Sequence, residues 1–138
     1  MTIKPQIIGI IGAMEKEIEL LQQSMTNTQS HQFGQLSVYS GELDGKSVAL
    51  CLSGIGKVNA AIATTILIEH FAADCIINTG SAGGLRAELH IGDAVIGTQV
   101  AHHDVNVTAF GYTHGQVPQM AARFNSHVDL VRAAELAA

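Results

Sequence analysis

Residues 6–25, QIIGIIGAMEKEIELLQQSM, decide the fold, because the spacing of their apolar side chains changes in the middle. Gln6 to Ile11 is a short apolar run that ends at Gly12, which predicts a fully buried β-strand. Beyond it the apolar residues recur at the spacing of an α-helix, and they share one face: Met14, Ile18, Leu21 and Met25. A buried strand that leads directly into an amphipathic helix is typical of α/β domains.

Four more segments downstream predict strands. Leu36–Leu43 and Lys46–Leu52 flank Asp44-Gly45, a favoured two-residue turn, so we expect a β-hairpin there. Cys75–Asn78 is another buried apolar run, and Ala94–Val100 predicts a further strand.

Two helices and two loops complete the predicted architecture. A long apolar helix is expected over Lys57–Phe71, with so few polar residues that both of its faces should be covered, and a final helix begins near Ser126 or His127. The polar segment Asn27–Gln32 and the His- and Gly-rich segment Ala101–Ala122 are expected to be loops. The alternation predicts an α/β domain whose sheet is covered on both faces.

Composition limits the function classes. The 138 residues are 47% hydrophobic and 14% charged, which predicts one globular domain over residues 1–138. The net charge is −5 and the 7 Lys and Arg residues are scattered, so nucleic acid is not expected as a partner. Met1 to Pro5 shows no signal-peptide pattern and no apolar run approaches membrane-spanning length, which predicts a cytoplasmic location without membrane partners. Cys51 and Cys75 lie in apolar runs and are expected to be buried free thiols.

The first candidate site follows the first strand. On a helical wheel Glu17 falls between Leu20 and Leu21, inside the apolar arc, whereas Glu15 and Glu19 fall on the polar side. A carboxylate that points inward from the first turn of a helix suits a general base, and burial and the helix N-terminus shift its pKa in opposite directions. The structural alternative is an acid that complements the helix dipole at the edge of the arc.

The second candidate site is the loop from Thr79 to Gly84, TGSAGG, which leaves the carboxyl end of a predicted buried strand. Ligands of open α/β sheets bind at such ends, and small residues let a flat ligand approach the backbone. A plain glycine turn is the alternative.

Other motifs exclude more than they support. Ser53-Gly54-Ile55-Gly56-Lys57 opens the long helix and suits an anion, but it is not a Walker A loop, since Cys51 and Val58 stand where that motif needs Gly and Ser or Thr. Gly9 and Gly12 lack the third glycine of a dinucleotide-binding fingerprint. His102 and His103, with Asp104 and His114 nearby, suggest a metal, but neighbours in a strand point to opposite faces, so hydrogen-bonding histidines are favoured.

An apolar set in the last loop consists of Val107, Phe110, Tyr112 and Pro118. A lid, an interface and ordinary core are all compatible with it, and core or interface is favoured over a ligand contact.

Four segments in order resemble the bacterial 5'-methylthioadenosine/S-adenosylhomocysteine nucleosidases: residues 8–17 (IGIIGAMEKE), 53–58 (SGIGKV), 76–84 (IINTGSAGG) and 107–112 (VTAFGY). The resemblance runs from about Ile7 to the chain end. It implies a nucleoside-phosphorylase-like mixed central sheet wrapped by helices and incomplete at the C-terminus, with residues 1–138 as the N-terminal part of a single nucleosidase domain. It further implies hydrolysis of the N-glycosidic bond of adenine thionucleosides, a homodimer, and neither cofactor nor metal.

The resemblance also assigns roles to residues. Glu17 would orient and activate the attacking water, and Met14 would lie beside the ribose. Ser81, Ala82 and Gly83 would line the pocket near base and sugar, and Ile55 would help to form the alkylthio pocket. The residues expected to reach from one subunit into its neighbour's pocket are Val107, Phe110 and Pro118.

The chain departs from the family in ways that keep two alternatives open. The family's adenine-protonating acid is an Asp that follows a Ser, and none of the five Asp residues here (Asp44, Asp74, Asp93, Asp104 and Asp129) does so. Asn106 stands where members commonly carry Asp. The alternatives are a truncated, inactive dimerisation or binding module and a nucleoside phosphorylase of the same fold. Phosphorolysis needs cationic groups around phosphate, and Gly9 to Met14 contains none, which favours water as the nucleophile.

Overall fold

The computed structural model describes residues 5–138, which divide into two compact units, residues 5–83 and residues 84–138. The prediction that residues 1–138 belong to a single domain stays a prediction. Within the described range, the helices are all too short or too polar to cross a membrane.

The first unit contains a five-stranded mixed sheet. Its strands are β1 (Ile7–Gly12), β2 (Thr26–Phe33), β3 (Leu36–Leu43), β4 (Lys46–Leu52) and β5 (Cys75–Asn78), in the spatial order β2-β3-β4-β1-β5. β1 is parallel to both β4 and β5, whereas β3 is antiparallel to β2 and β4. The predicted hairpin is confirmed, and Asp44 and Gly45 both have positive φ, at 48° and 71°, as a type I′ turn requires.

Two helices cover opposite faces of this sheet, which confirms the predicted fold class. α1 (Glu15–Ser24) packs Ile18 against Val48 and Leu50, whereas α2 (Lys57–Phe71) packs Leu67 against the face that carries Cys51. Both cores are apolar because successive residues of β4 point to opposite faces of the sheet, and the four residues from Val48 to Cys51 are all buried and have no charged side chain.

The outer face of α2 differs from the prediction. Ala63 and Leu67 are fully buried, but Val58, Ile62 and Ile68 on the same helix are exposed. The expectation that both faces are covered is therefore wrong within residues 5–83, where the sheet packs against one face of α2 and large apolar side chains on the helix stay exposed.

β2 corrects the prediction of a loop at Asn27–Gln32. It spans Thr26–Phe33, and six of its eight residues pair with β3, with an irregularity between Thr26 and Gln29, although most of the eight are polar. β2 is an edge strand with six exposed residues, so its side chains do not need to be apolar, and backbone pairing with β3 determines its conformation.

The cysteines are both free thiols, as expected, but only Cys51 is fully buried. Burial raises the pKa of the Cys51 thiol to about 11. Cys75 is half-buried, and burial together with the neighbouring Asp74 carboxylate raises the pKa of its thiol.

The second unit is sparsely structured. It contains β6 (Gln99–Val100), a 3₁₀ turn at Thr108–Phe110, β7 (Phe124–Asn125) and α3 (Val128–Ala137). The strand predicted at Ala94–Val100 is wrong over residues 94–98, because β7 offers only two residues for pairing and these pair with β6. The loop character of residues 101–122 and the start of the last helix are confirmed, with His127 as N-cap.

Candidate active site

The carboxyl ends of three parallel strands bring two predicted sites together. β1, β4 and β5 all end at the same edge of the sheet, where ligands of α/β proteins bind. The Ser53 amide donates to the Gly12 carbonyl at 2.9 Å, and the Thr79 amide donates to the Ile11 carbonyl at 3.0 Å. These bonds fix the loops after β4 and β5 on either side of the end of β1.

Glu17 lies between two of these segments, and its carboxylate accepts four hydrogen bonds. Oε2 accepts from the backbone amides of Ala13 at 2.8 Å and Met14 at 3.1 Å. Oε1 accepts from the Ser81 amide at 2.9 Å and from the Ser81 hydroxyl at 3.1 Å. One half-buried side chain therefore connects the start of α1 with the loop after β5, 64 residues away in sequence.

The two oxygens serve the two roles that the sequence left open. Oε2 binds the amide at the start of its own helix, which is how a third-position Glu stabilises a helix N-terminus. Oε1 is directed away from the helix to Ser81, in the glycine-rich loop. The structural reading is thus correct for Oε2, and Oε1 remains the atom available for a functional role.

Hydrogen bonding outweighs burial in setting the protonation state of this group. The Ser81 amide makes the largest contribution to lowering the pKa of Glu17, the amides of Ala13 and Met14 and the Ser81 hydroxyl lower it further, and partial burial opposes them. The carboxylate is consequently ionised at neutral pH. Such a group suits the orientation of a water molecule and the stabilisation of a nearby cation.

Met14 lies between Glu17 and a separate cavity of about 490 Å³. Its lining includes the apolar side chains of Met14, Leu36 and Leu52, and its polar residues are Glu15, Gln35, Ser53 and Asn59. Because Ala13 and Met14 line the cavity and their amides also bind the Glu17 carboxylate, an apolar substituent of a ligand at Glu17 has a suitable place close by.

The remaining predicted residues of the first unit make fewer contacts. Ala82 and Gly83 continue the loop after Ser81 and are exposed, and no atom comes within 4 Å of the position that a Gly83 Cβ would take. Ile55 is 74% exposed, and its carbonyl accepts a hydrogen bond from the Asn59 side chain. The structure therefore places Met14 and Ser81 against Glu17 and leaves Ile55, Ala82 and Gly83 open to solvent.

Three predicted residues belong to the second unit. Val107 is half-buried and precedes the 3₁₀ turn, Phe110 ends that turn with 79% of its surface exposed, and Pro118 is exposed. An ordinary core role is therefore wrong for Phe110, whereas lid and interface roles remain.

The weaker motifs gain no further support from the described residues. Ser53 is buried, and its hydroxyl lies 2.9 Å from the Gly54 carbonyl oxygen and 3.3 Å from that of Gly12. The hydroxyl proton is therefore hydrogen-bonded to the backbone. Across residues 5–138, no three His, Cys, Asp or Glu side chains come together as metal ligands, and the His102-His103 pair is no exception.

Sequence reasoning missed two participants. It singled out the segment from Gly12 to Glu17 without identifying the Ala13 amide as a donor, and it did not include Gly80 among the site residues, although a Cβ on Gly80 would lie 2.6 Å from Glu17 Oε1. A Glu three residues after the helix N-cap is a signal for the Met14 amide contact, but the usual Ser or Thr at the cap is Met here. For Gly80 the sequence offers only the glycine-rich composition of its loop.

Comparison with known proteins gives consistent results. The family model described as the phosphorylase superfamily matches residues 7–138. The 5'-methylthioadenosine/S-adenosylhomocysteine nucleosidase of Pseudoalteromonas translucida is 57% identical over 93% of this chain, which covers 54% of that protein. The chain thus spans about half the length of the curated relatives it matches.

Solved structures of such nucleosidases share the fold. The Neisseria meningitidis enzyme in complex with methylthio-immucillin-A superposes with a TM-score of 0.93 at 61% identity, covering 96% of this chain and 57% of that one. The Colwellia psychrerythraea enzyme in complex with adenine gives a TM-score of 0.93 at 46% identity, covering 99% of this chain and 56% of that one.

Proposed function

The chain belongs to the phosphorylase superfamily, and from that premise we propose that its protein hydrolyses the N-glycosidic bond of 5'-methylthioadenosine and S-adenosylhomocysteine. The products are adenine and the corresponding thioribose. The relatives support this substrate class, since they bear that enzyme name and two of the similar structures hold adenine or methylthio-immucillin-A. One observation carries the proposal: the ionised Glu17 carboxylate, held by Ser81 at the carboxyl end of the parallel strands.

The chemistry of glycosidic hydrolysis matches this carboxylate. As the bond to adenine lengthens, the ribose gains oxocarbenium character, and a fixed negative charge beside it stabilises the transition state more than the ground state. The bond between the anomeric carbon and adenine breaks, and the departing adenine nitrogen takes up a proton from solvent. A water molecule bound by Glu17 forms the new C–O bond and loses one proton, which the carboxylate passes on to solvent. The low pKa of Glu17 keeps the carboxylate charged, so its main work is orientation and electrostatic stabilisation.

We place the proposed water beside the Ser81 hydroxyl. Three of the four donors to Glu17 are backbone amides fixed by the fold, whereas the hydroxyl can rotate. A water molecule that accepts from Ser81 and donates to Oε1 therefore binds without breaking an amide contact.

The substrate contacts are proposed from the resemblance to the nucleosidases. Met14 and Ile55 contact the ribose and the alkylthio group, and Ser81, Ala82 and Gly83 line the base and sugar pocket. In a homodimer, Val107, Phe110 and Pro118 of one subunit complete the pocket of the other, and the exposure of Phe110 supports this role. The cytoplasmic location expected from the sequence stays a prediction.

Adenine release in the presence and absence of phosphate tests the proposal. The assay uses the protein at its natural length. Methylthioadenosine is the substrate, and Glu17→Ala is the inactive control. We expect release without phosphate and no acceleration by added phosphate. Strict dependence on phosphate would identify a phosphorylase, and binding without release would identify a binding module; either result overturns the proposal.

A further inference from the structure

Two glycines flank the Glu17 side chain and leave it no spare room. A Cβ on Gly12 would collide with the Ile18 side chain and lie 3.4 Å from the Glu17 Cβ. A Cβ on Gly80 would lie 2.6 Å from Glu17 Oε1, 2.7 Å from the carboxyl carbon and 2.9 Å from Oε2. Gly12 therefore makes room for Ile18, next to Glu17, whereas Gly80 accommodates the Glu17 carboxylate itself.

We propose that Gly80 is a positioning residue for the reaction: the missing side chain at this position lets the loop after β5 close onto the Glu17 carboxylate. This inference rests on the proposed function, in which Glu17 acts on the substrate. Gly80 itself touches neither water nor sugar in this role and acts only through Glu17.

Backbone conformation does not explain why residue 80 is a glycine. Seven glycines of the described chain have positive φ, and Gly80 is not one of them, so its backbone conformation is open to alanine. The constraint is the contact itself. For a methyl group to fit, the distance to Oε1 must increase from 2.6 Å to the 3.4 Å of an ordinary contact.

The carboxylate cannot yield to a methyl group without losing its position. A carboxylate at the end of a flexible side chain normally swings aside, but the amides of Ala13 and Met14 hold Oε2. If the side chain moves, those bonds lengthen; if the loop moves, the bonds from Ser81 lengthen. Either movement separates the groups that fix the charge, and a misplacement of about 1 Å can reduce a catalytic rate about 100-fold.

A second explanation makes a different prediction. A glycine beside a ligand site also permits a flat ligand to approach the backbone. In that case a methyl group at residue 80 would weaken substrate binding but leave Glu17 unchanged in the free protein. Titration of Glu17 without substrate separates the two explanations.

The experiment follows the Glu17 carboxyl carbon by ¹³C NMR in the ligand-free protein, and compares Gly80→Ala with Gly97→Ala. Gly97 is a matched control, because no atom lies within 4 Å of its Cβ position and its φ is not positive. We expect Gly80→Ala to raise the pKa of Glu17, to move the acid limb of the rate profile to higher pH, and to reduce kcat about 10- to 100-fold. Gly97→Ala should change none of these.

An unchanged Glu17 titration in folded Gly80→Ala overturns the inference. If Gly80→Ala does not fold, the double variant Gly80→Ala with Glu17→Ala tests the inference instead. It removes the carboxylate with which the new methyl group would clash. Recovery of folding supports the inference, and continued failure to fold overturns it. If the titration responds but the wild-type protein releases no adenine, the proposed function fails and the placement of Glu17 by Gly80 stands.

Discussion

Replacement of Glu17 by Gln removes the charge and keeps the shape of the side chain, so it separates the chemical role of this group from its structural role. The amide offers one acceptor oxygen in place of two. In its best orientation that oxygen faces the amides of Ala13 and Met14, and its NH₂ group donates to the rotated Ser81 hydroxyl. Only the Ser81 amide then lacks an acceptor.

The two expected effects differ in size. The substitution loses one charge-assisted hydrogen bond and weakens the other three at a partly exposed site, where water replaces much of the loss, so stability should fall by about 1 kcal/mol. Catalysis should lose the whole contribution of a charged, positioned group, about 10²- to 10⁴-fold in kcat/KM, or about 3–5 kcal/mol. The variant should therefore be nearly as stable as the wild type and almost inactive.

The assay pairs adenine release at neutral pH with urea unfolding on the same preparations. Glu19→Gln is the matched control, since Glu19 lies on the same helix and its carboxylate only accepts a 3.3 Å bond from the exposed Gln23 side chain. The control should remain within about twofold of the wild type. Activity of Glu17→Gln within the same range would refute the assignment of Glu17 to the reaction.

Three further predictions follow from packing and protonation. Leu67→Ala should lower the free energy of unfolding by about 2–5 kcal/mol because Leu67 is fully buried, whereas Ile68→Ala, at a half-exposed position, should cost much less; equal urea midpoints would contradict this. In native protein at mildly alkaline pH, Cys75 should react with a thiol reagent and Cys51 should not, since Cys51 is fully buried with a pKa of about 11; equal rates would show that the sheet opens. The pKa of Glu17 is lower in the folded protein, so its stabilising contribution should be complete above the ordinary glutamate value of about 4.3 and disappear as pH falls through the folded-state value; a stability gap between wild type and Glu17→Gln that does not change across this acid range would contradict it.

Local signals in the sequence predicted β3, β4, α2 and β5 residue for residue. Asp44-Gly45 can form a turn that few other dipeptides form, and the continuous apolar run of α2 is too long for a strand. These features depend on neighbours in sequence, so they can be read without knowledge of the rest of the chain.

Where pairing or packing decides the outcome, the sequence predicted less. β2 has polar residues like those of a loop, and only its backbone bonds to β3 make it a strand. Residues 94–98 have the apolar character of a strand, yet without paired neighbours they do not form one. Strand formation depends on hydrogen bonds to a partner, which no local pattern contains.

The candidate site divides in the same way. The period of α1 placed Glu17 on the inward side of the helix, and the glycine-rich loop marked the end of a strand, so both segments were identified from sequence alone. The four donors to the carboxylate, the direction of the pKa shift and the tight contact at Gly80 came only from the tertiary structure. They depend on the parallel pairing of β1 with β5, which brings Ser81 within hydrogen-bonding distance of a residue far away in sequence.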